Sequence, residues 1–117
     1  MDTTRLRERV TAIVIELPEA TATGAPHVTL AVRRKTFGYF LDDHHGDGIV
    51  GVAFKAARGE QAALLGADRF YMPAYLGARG WVGLHLDRGR VDWAEVRELL
   101  TEAYRLQAPR KLAALLG

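Results

Sequence analysis

The chain has 117 residues, of which 49% are apolar and 26% are charged, and its net charge is +2. This composition is typical of a globular protein and argues against intrinsic disorder. The sequence contains no cysteine, which excludes disulfides, thiolate metal sites and cysteine nucleophiles. No apolar run reaches the roughly 18 residues of a transmembrane helix. We therefore expect one cytoplasmic domain spanning residues 1–117, monomeric by default and without a membrane partner.

The first third of the chain predicts a helix followed by strands. Asp2 or Thr3 can cap the helix, and Pro18 ends it. Its apolar residues recur at the spacing of one helical face: Leu6, Val10, Ile13, Val14 and Leu17. The segment 19–26 is turn-like, with room for a short edge strand. Alternating apolar residues over 28–32 and 37–41 then predict a β-hairpin whose tip, residues 33–36, is basic.

The remainder predicts further strands and two helices at the end. A third strand covers 49–55, a short helix covers 59–65, and a pair of strands covers 69–76 and 81–87 with a turn at 77–80. Asp92 can cap the next helix, with Glu95 three residues on and a Val91–Val96 hydrophobic staple. Pro109 suits the first turn of a last helix. This order of elements predicts an α+β domain.

Several aromatic residues fall on the predicted strands. Phe37, Tyr39 and Trp81 are predicted to lie in the core. Strict alternation puts Phe40 on the opposite face from Phe37 and Tyr39. Phe40, together with Tyr71 or Tyr75, is therefore predicted to be exposed, where it could stack on a nucleic-acid base.

Short motifs in the centre and C-terminal half resemble the MmcQ/YjbR-like proteins over roughly residues 10–115. The resemblance is carried in order by these segments: Arg34-Lys35-Thr36-Phe37, Val52-Ala53-Phe54-Lys55, Pro73-Ala74-Tyr75, Trp81-Val82, Leu86-Asp87, Val91-Asp92-Trp93, and Tyr104 with Leu106 and Lys111. It implies a frataxin-like α+β fold, an antiparallel sheet of about five to six strands covered on one face by N-terminal and C-terminal helices, with a short helix between the strand groups. It also implies DNA binding by a double wing of hairpins. The sequence departs from the family pattern at the acidic loop 42–48 and at Ala103, where the family commonly has serine.

Basic residues are concentrated at predicted turns. Such tips could lie along nucleic-acid phosphates, because each Lys or Arg displaces counterions. The candidate contacts are Arg33, Arg34, Lys35, Arg79, Arg88 and Arg90, with Lys55, Arg110 and Lys111 as secondary contacts. Ordinary solubilising surface residues are the alternative interpretation. A DNA-binding, non-enzymatic protein without a cofactor is therefore the leading hypothesis.

The loop 42–48 holds the densest group of carboxylates and imidazoles. Such side chains are ligands for zinc, iron or manganese, and two glycines would let the backbone fold around an ion. The candidate ligands are Asp42, Asp43, His44, His45 and Asp47. Adjacent histidines on an extended segment point in opposite directions, however, and no distant histidine pair completes a site. A solvated turn is the alternative.

Familiar catalytic patterns are missing from the sequence. It contains no serine, no phosphate-binding P-loop and no dinucleotide-binding glycine fingerprint. We therefore favour a binding protein over an enzyme. Two other hypotheses stay open: a metal- or small-ligand-binding domain that uses the 42–47 loop, and a protein-interaction module.

Overall fold

A computed structural model of the chain describes residues 2–117. The helices are, in chain order, α1 (Thr4–Val14), α2 (Glu60–Leu65), α3 (Trp93–Gln107) and α4 (Arg110–Ala114). The strands are β1 (Ala20–Thr23), β2 (Val28–Val32), β3 (Lys35–Asp42), β4 (Val50–Phe54), β5 (Phe70–Tyr71) and β6 (Val82–His85). The strands form one antiparallel sheet in the order β1-β2-β3-β4-β6-β5. The predicted α+β class, the number of strands and the short helix between strand groups are confirmed.

The two longer helices form where the sequence places their signals. The Asp2 carboxylate accepts a hydrogen bond from the Thr4 amide at the start of α1, at 2.9 Å. Asp92 caps α3 by accepting from the amides of Ala94 and Glu95, at 3.0 and 3.2 Å. The Glu95 side chain does not accept from the Asp92 amide as it would in a capping box. It pairs instead with Arg69, which directly precedes β5. The helix starts are thus local features of the sequence.

Helices α1 and α3 cover one face of the sheet and bury the core. On this face the Tyr104 ring of α3 meets the Phe37 ring edge to face, with centroids 5.8 Å apart. The Tyr104 hydroxyl donates a hydrogen bond to the Pro18 carbonyl at 2.7 Å, which ties α3 to the turn after α1. Leu17 is buried although α1 ends at Val14. The predicted apolar face of the first helix therefore continues into the turn.

The prediction that Phe40 is exposed was wrong. Its side chain is 0% exposed and lies on the helix-covered face, as does Phe37. A β-bulge between β2 and β3 is the reason: Leu30 pairs with Gly38 but Ala31 pairs with Thr36, so Phe37 is an extra residue. The extra residue shifts the alternation by one position. Tyr39 therefore falls on the opposite, open face of the sheet, where it lies against Trp81 with ring centroids 5.9 Å apart.

The strand predicted over 69–76 is also much shorter in the structure. Only Phe70–Tyr71 pair with β6. Pro73 follows two residues later, and its carbonyl accepts from the Gly77 amide at 2.7 Å, which curls the chain into a turn. Tyr75 within that turn has a positive φ of 65°. The segment after Tyr71 therefore leaves the sheet and rises over the open face.

Candidate functional site

The β2–β3 hairpin has a basic tip made by two residues. Arg33 and Arg34 have φ of 48° and 68°, the left-handed conformation that a tight hairpin turn requires at both central positions. The Arg33 guanidinium forms a bidentate ion pair with Glu19 beside β1, at 2.5 and 2.9 Å. Its hydrogen bonds lower the pKa of Glu19 and raise that of Arg33. Arg33 is thus neutralised, whereas Arg34 and Lys35 are exposed and form no ion pair within residues 2–117.

Antiparallel pairing brings further cations to the same end of the sheet. Lys35 begins β3, and the amide of Lys55, just beyond β4, bonds the Phe37 carbonyl at 3.0 Å. Arg79 lies in the short 3-10 turn that precedes β6, and β6 starts beside the end of β4. The side chain of Gln61 holds this turn by donating to the Gly77 and Trp81 carbonyls, each at 2.8 Å.

The C-terminal helix reaches this end as well. Gln107, the last residue of α3, donates to the Thr36 carbonyl at 3.0 Å, so α3 ends beside the start of β3. Helix α4 follows directly and carries the exposed side chains of Arg110 and Lys111. We call Arg34, Lys35, Arg79, Arg110 and Lys111 the basic end. None of the five forms an ion pair with another described residue.

Three predicted contacts are placed less favourably. The Leu86 amide bonds the Val50 carbonyl, so Arg88 and Arg90 lie where β4 begins, whereas the basic end lies where β4 ends. Val50 to Lys55 is five residues of extended chain, or about 17 Å at the usual rise per residue. Lys55 is half-buried in a groove that also contains Glu60 and Glu102. The nine predicted cations therefore do not share one surface.

The acidic loop folds into a turn that satisfies its own carboxylates. The Asp43 carboxylate accepts from the Gly48 amide at 2.6 Å, and the Asp47 carboxylate accepts from the Ile49 amide at 2.8 Å. The Asp42 carboxylate faces away and accepts from the Thr3 hydroxyl at 2.5 Å. Across the described part of the chain, no three His, Asp or Glu side chains are close enough to hold a metal ion. The metal-binding interpretation of this loop therefore has no geometric support.

The histidine rings of the loop pack edge to face instead. The His44 ring lies 3.9 Å from that of His45 and 4.8 Å from that of His27, centroid to centroid. Burial and then the neighbouring His45 and His27 lower the pKa of His44. The Nδ1 atom of His27 accepts from the Asp42 amide at 3.2 Å. These surroundings favour the neutral form of His44.

Tyr71 forms the floor of the open face. It reaches across β6 toward β4, because Gly83 and Gly51 on those strands have no side chain: a Cβ at Gly83 would overlap its ring, and one at Gly51 would approach its hydroxyl to 2.7 Å. Burial, followed by the charges of Asp47 and Asp87, raises the pKa of Tyr71 to about 12. Glycine inside a strand marks a close approach of this kind, but it does not say which side chain approaches.

His85 lies beside Tyr71, with ring centroids 4.6 Å apart. Burial and then the charge of Arg88 lower the pKa of His85. The Tyr71 hydroxyl and His85 Nδ1 are both buried and have no hydrogen-bond partner among the described residues. The sequence reasoning assigned no role to His85. An unpaired buried polar atom lowers the free energy of unfolding, so this pair makes the open face a candidate functional site.

A cleft of about 660 Å³ opens above this floor. One wall is the loop with His44, His45 and Asp47, and the other is the segment 72–76 that follows β5. The sheet contributes Tyr39 and Tyr71. Asp42 and Asp43, which were predicted alongside the loop histidines, do not line it.

Comparisons with known proteins agree with this fold. The sequence model of the YjbR family matches residues 15–106, which is more than half of the chain. The crystal structure of Deinococcus radiodurans protein DR2400, with a DUF419 domain, is similar in fold: the TM-score is 0.68 at 20% identity, covering 92% of this chain and 85% of that one. No curated protein gives a significant match. The chain described here belongs to the YjbR family.

Proposed function

We propose that this protein binds nucleic acid through its phosphates, using the basic end. The proposal is supported by exposed cations of three separate segments that lie at the same end of the sheet. These segments are the β2–β3 tip, the turn before β6, and α4. Residues 2–117 offer these side chains no acidic partner. A hairpin tip beside a helix start could follow a phosphate backbone. Such contacts would position the protein without reading base sequence.

The proposal uses fewer contacts than the nine predicted from the sequence. Arg34, Lys35 and Arg79 are the primary contacts, and Arg110 and Lys111 are secondary. Arg33 is left out because Glu19 already pairs with it. Arg88 and Arg90 are left out because they lie at the opposite end of the sheet. The same two residues provide a matched control.

A salt titration of DNA binding tests the proposal. Fluorescently labelled duplex and single-stranded DNA are titrated with wild-type protein, with Arg34→Gln/Lys35→Gln, and with Arg88→Gln/Arg90→Gln. Both double variants change the net charge equally. We expect micromolar binding by the wild type at about 50 mM salt, with a log–log salt slope that falls by about two in the Arg34/Lys35 variant only.

Two outcomes would contradict the proposal. One is equal weakening by both double variants, which would show a dependence on net charge alone. The other is no binding by wild-type protein whose circular dichroism shows that it is folded. The two DNA probes decide in addition whether duplex or single-stranded DNA is preferred.

A further inference from the structure

The cleft on the open face has the size of a small-molecule site. Its volume of about 660 Å³ falls within the range of roughly 300–1,000 Å³ that is usual for ligand pockets. Its walls are mainly apolar and include Leu41, Ile49, Met72 and Leu76. Tyr75 and Met72 at its rim are 82% and 56% exposed, although both side chains are large and apolar. Exposed apolar surface of this kind around a concavity is characteristic of binding sites.

The charge of the cleft restricts what it can bind. No Lys or Arg is among the described residues that line it. With histidines counted as neutral, the one formal charge among the described lining residues is the Asp47 carboxylate. One of its oxygens accepts from the Ile49 amide, and the other is not used in that bond. An anionic ligand would therefore meet a carboxylate and no countercharge. A positively charged ligand would meet a complementary charge.

Aromatic rings supply a second feature that favours cations. Tyr39, Tyr71 and Tyr75 line the cleft from the sheet and from the segment after β5. Tyr75 also faces His45 of the opposite wall, with ring centroids 6.1 Å apart. The face of a tyrosine ring is electronegative, and it attracts an ammonium group within about 6 Å of the centroid. Tyrosine rings on the floor and on one wall of the cleft could therefore contact the same cationic group.

The backbone at the rim is strained on both sides of the cleft. His45 and Tyr75 have φ of 61° and 65°, values that side-chain-bearing residues rarely adopt. His45 and Tyr75 are the two residues whose rings face each other across the cleft. Strain of this kind persists where the surrounding structure holds it, and it concentrates at ligand sites.

We propose that the open-face cleft binds a small organic cation, with its ammonium group between the tyrosine rings and beside the Asp47 carboxylate. The apolar walls would hold the uncharged part of the molecule. The site lies on the sheet face and is distinct from the basic end. It would operate whether or not the protein binds nucleic acid.

Choline serves as the probe, and 3,3-dimethylbutan-1-ol, in which carbon replaces the charged nitrogen, serves as its neutral control. Binding is followed by tryptophan fluorescence in a Trp93→Phe background. That substitution leaves Trp81, which contacts Tyr39 of the cleft, as the one tryptophan. We expect saturable binding of choline and about tenfold weaker binding of the alcohol.

Single substitutions test whether choline binds in this cleft. Asp47→Asn keeps the oxygen that accepts from the Ile49 amide, and Tyr75→Leu keeps apolar area while removing the ring. Each is expected to weaken choline binding several-fold. Glu98→Gln, which removes a negative charge from the exposed side of helix α3, is expected to leave choline binding unchanged.

The proposal is overturned if the folded protein does not bind choline, or if it binds the alcohol equally well. It is also overturned if Asp47→Asn and Glu98→Gln have the same effect, because the charge would then act at long range and not within the cleft.

Discussion

Tyr71 packs over two glycines, so a substitution at one of them should change the stability of the protein. A second substitution, at Tyr71, should reverse the direction of that change. In Gly83→Ala the new methyl group would occupy the space of the Tyr71 ring, and the ring would have to leave its position above β6. The backbone of Gly83 is buried and paired with both β4 and β5, so it has little freedom to move away. We therefore expect Gly83→Ala to destabilise the protein.

Two opposing effects determine how much stability Gly83→Ala loses. Overpacking a well-filled site costs typically about 1–3 kcal/mol. Replacing a strand glycine with alanine recovers about 0.5–1 kcal/mol of chain entropy. The new Cβ would overlap the Tyr71 ring, so the upper part of the overpacking range applies, and the net loss should be about 1–2 kcal/mol. In a Tyr71→Ala background only the entropy gain remains, so the same substitution should stabilise the protein by a few tenths of a kcal/mol or more.

Urea unfolding at pH 7 measures the four proteins of this double-mutant cycle. With a urea slope of about 2 kcal/mol per M, the middle of the usual range, the loss corresponds to a midpoint lowered by about 0.5–1 M. The coupling energy between the two positions should exceed about 1 kcal/mol, as is found for residues in direct contact. If Gly83→Ala is neutral or stabilising in the wild-type background, Tyr71 does not lie across β6 and the floor of the cleft is misassigned.

Three further predictions concern the core, pH and a helix cap, all measured by urea unfolding. Phe40→Ala should lower the free energy of unfolding by about 3–5 kcal/mol, and Tyr39→Ala should lower it by less than half of that. Equal losses would contradict the assignment of the bulge at Phe37. The lowered pKa of His85 means that the unfolded chain binds protons more readily, so stability should fall as the pH drops below about 6.5, and His85→Gln should flatten this fall. Asp92→Ala should cost about 1 kcal/mol, and an unchanged midpoint would exclude its capping role.

Local signals predicted several elements well, because their causes lie within a few residues of one another. The Asp92 cap, the apolar face of the first helix and the basic hairpin tip all depend on neighbouring residues. The tip predicted over 33–36 is shorter in the structure, because β3 already begins at Lys35. The resemblance to the YjbR family was confirmed, and it gave the sheet with helices on one face. The single domain over residues 1–117 stays a prediction.

The pairing of strands determined features that the local signals could not predict. The bulge at Phe37 depends on register against β2, so alternation within β3 alone put Phe40 on the wrong face. The pairing of strands distant in sequence also determined which cations share the basic end and that Arg88 and Arg90 do not.

Caps, turns and alternation predicted most of the helices and strands because they act over a few residues, and short ordered motifs indicated the family. The candidate sites depend on contacts between segments that are distant in the chain. Tyr71, Gly51 and Gly83 come from three strands, and the cleft above them is closed by two loops that are far apart in the chain. A site of this kind exists only once the sheet has brought those segments together, since no short segment holds more than one of its walls.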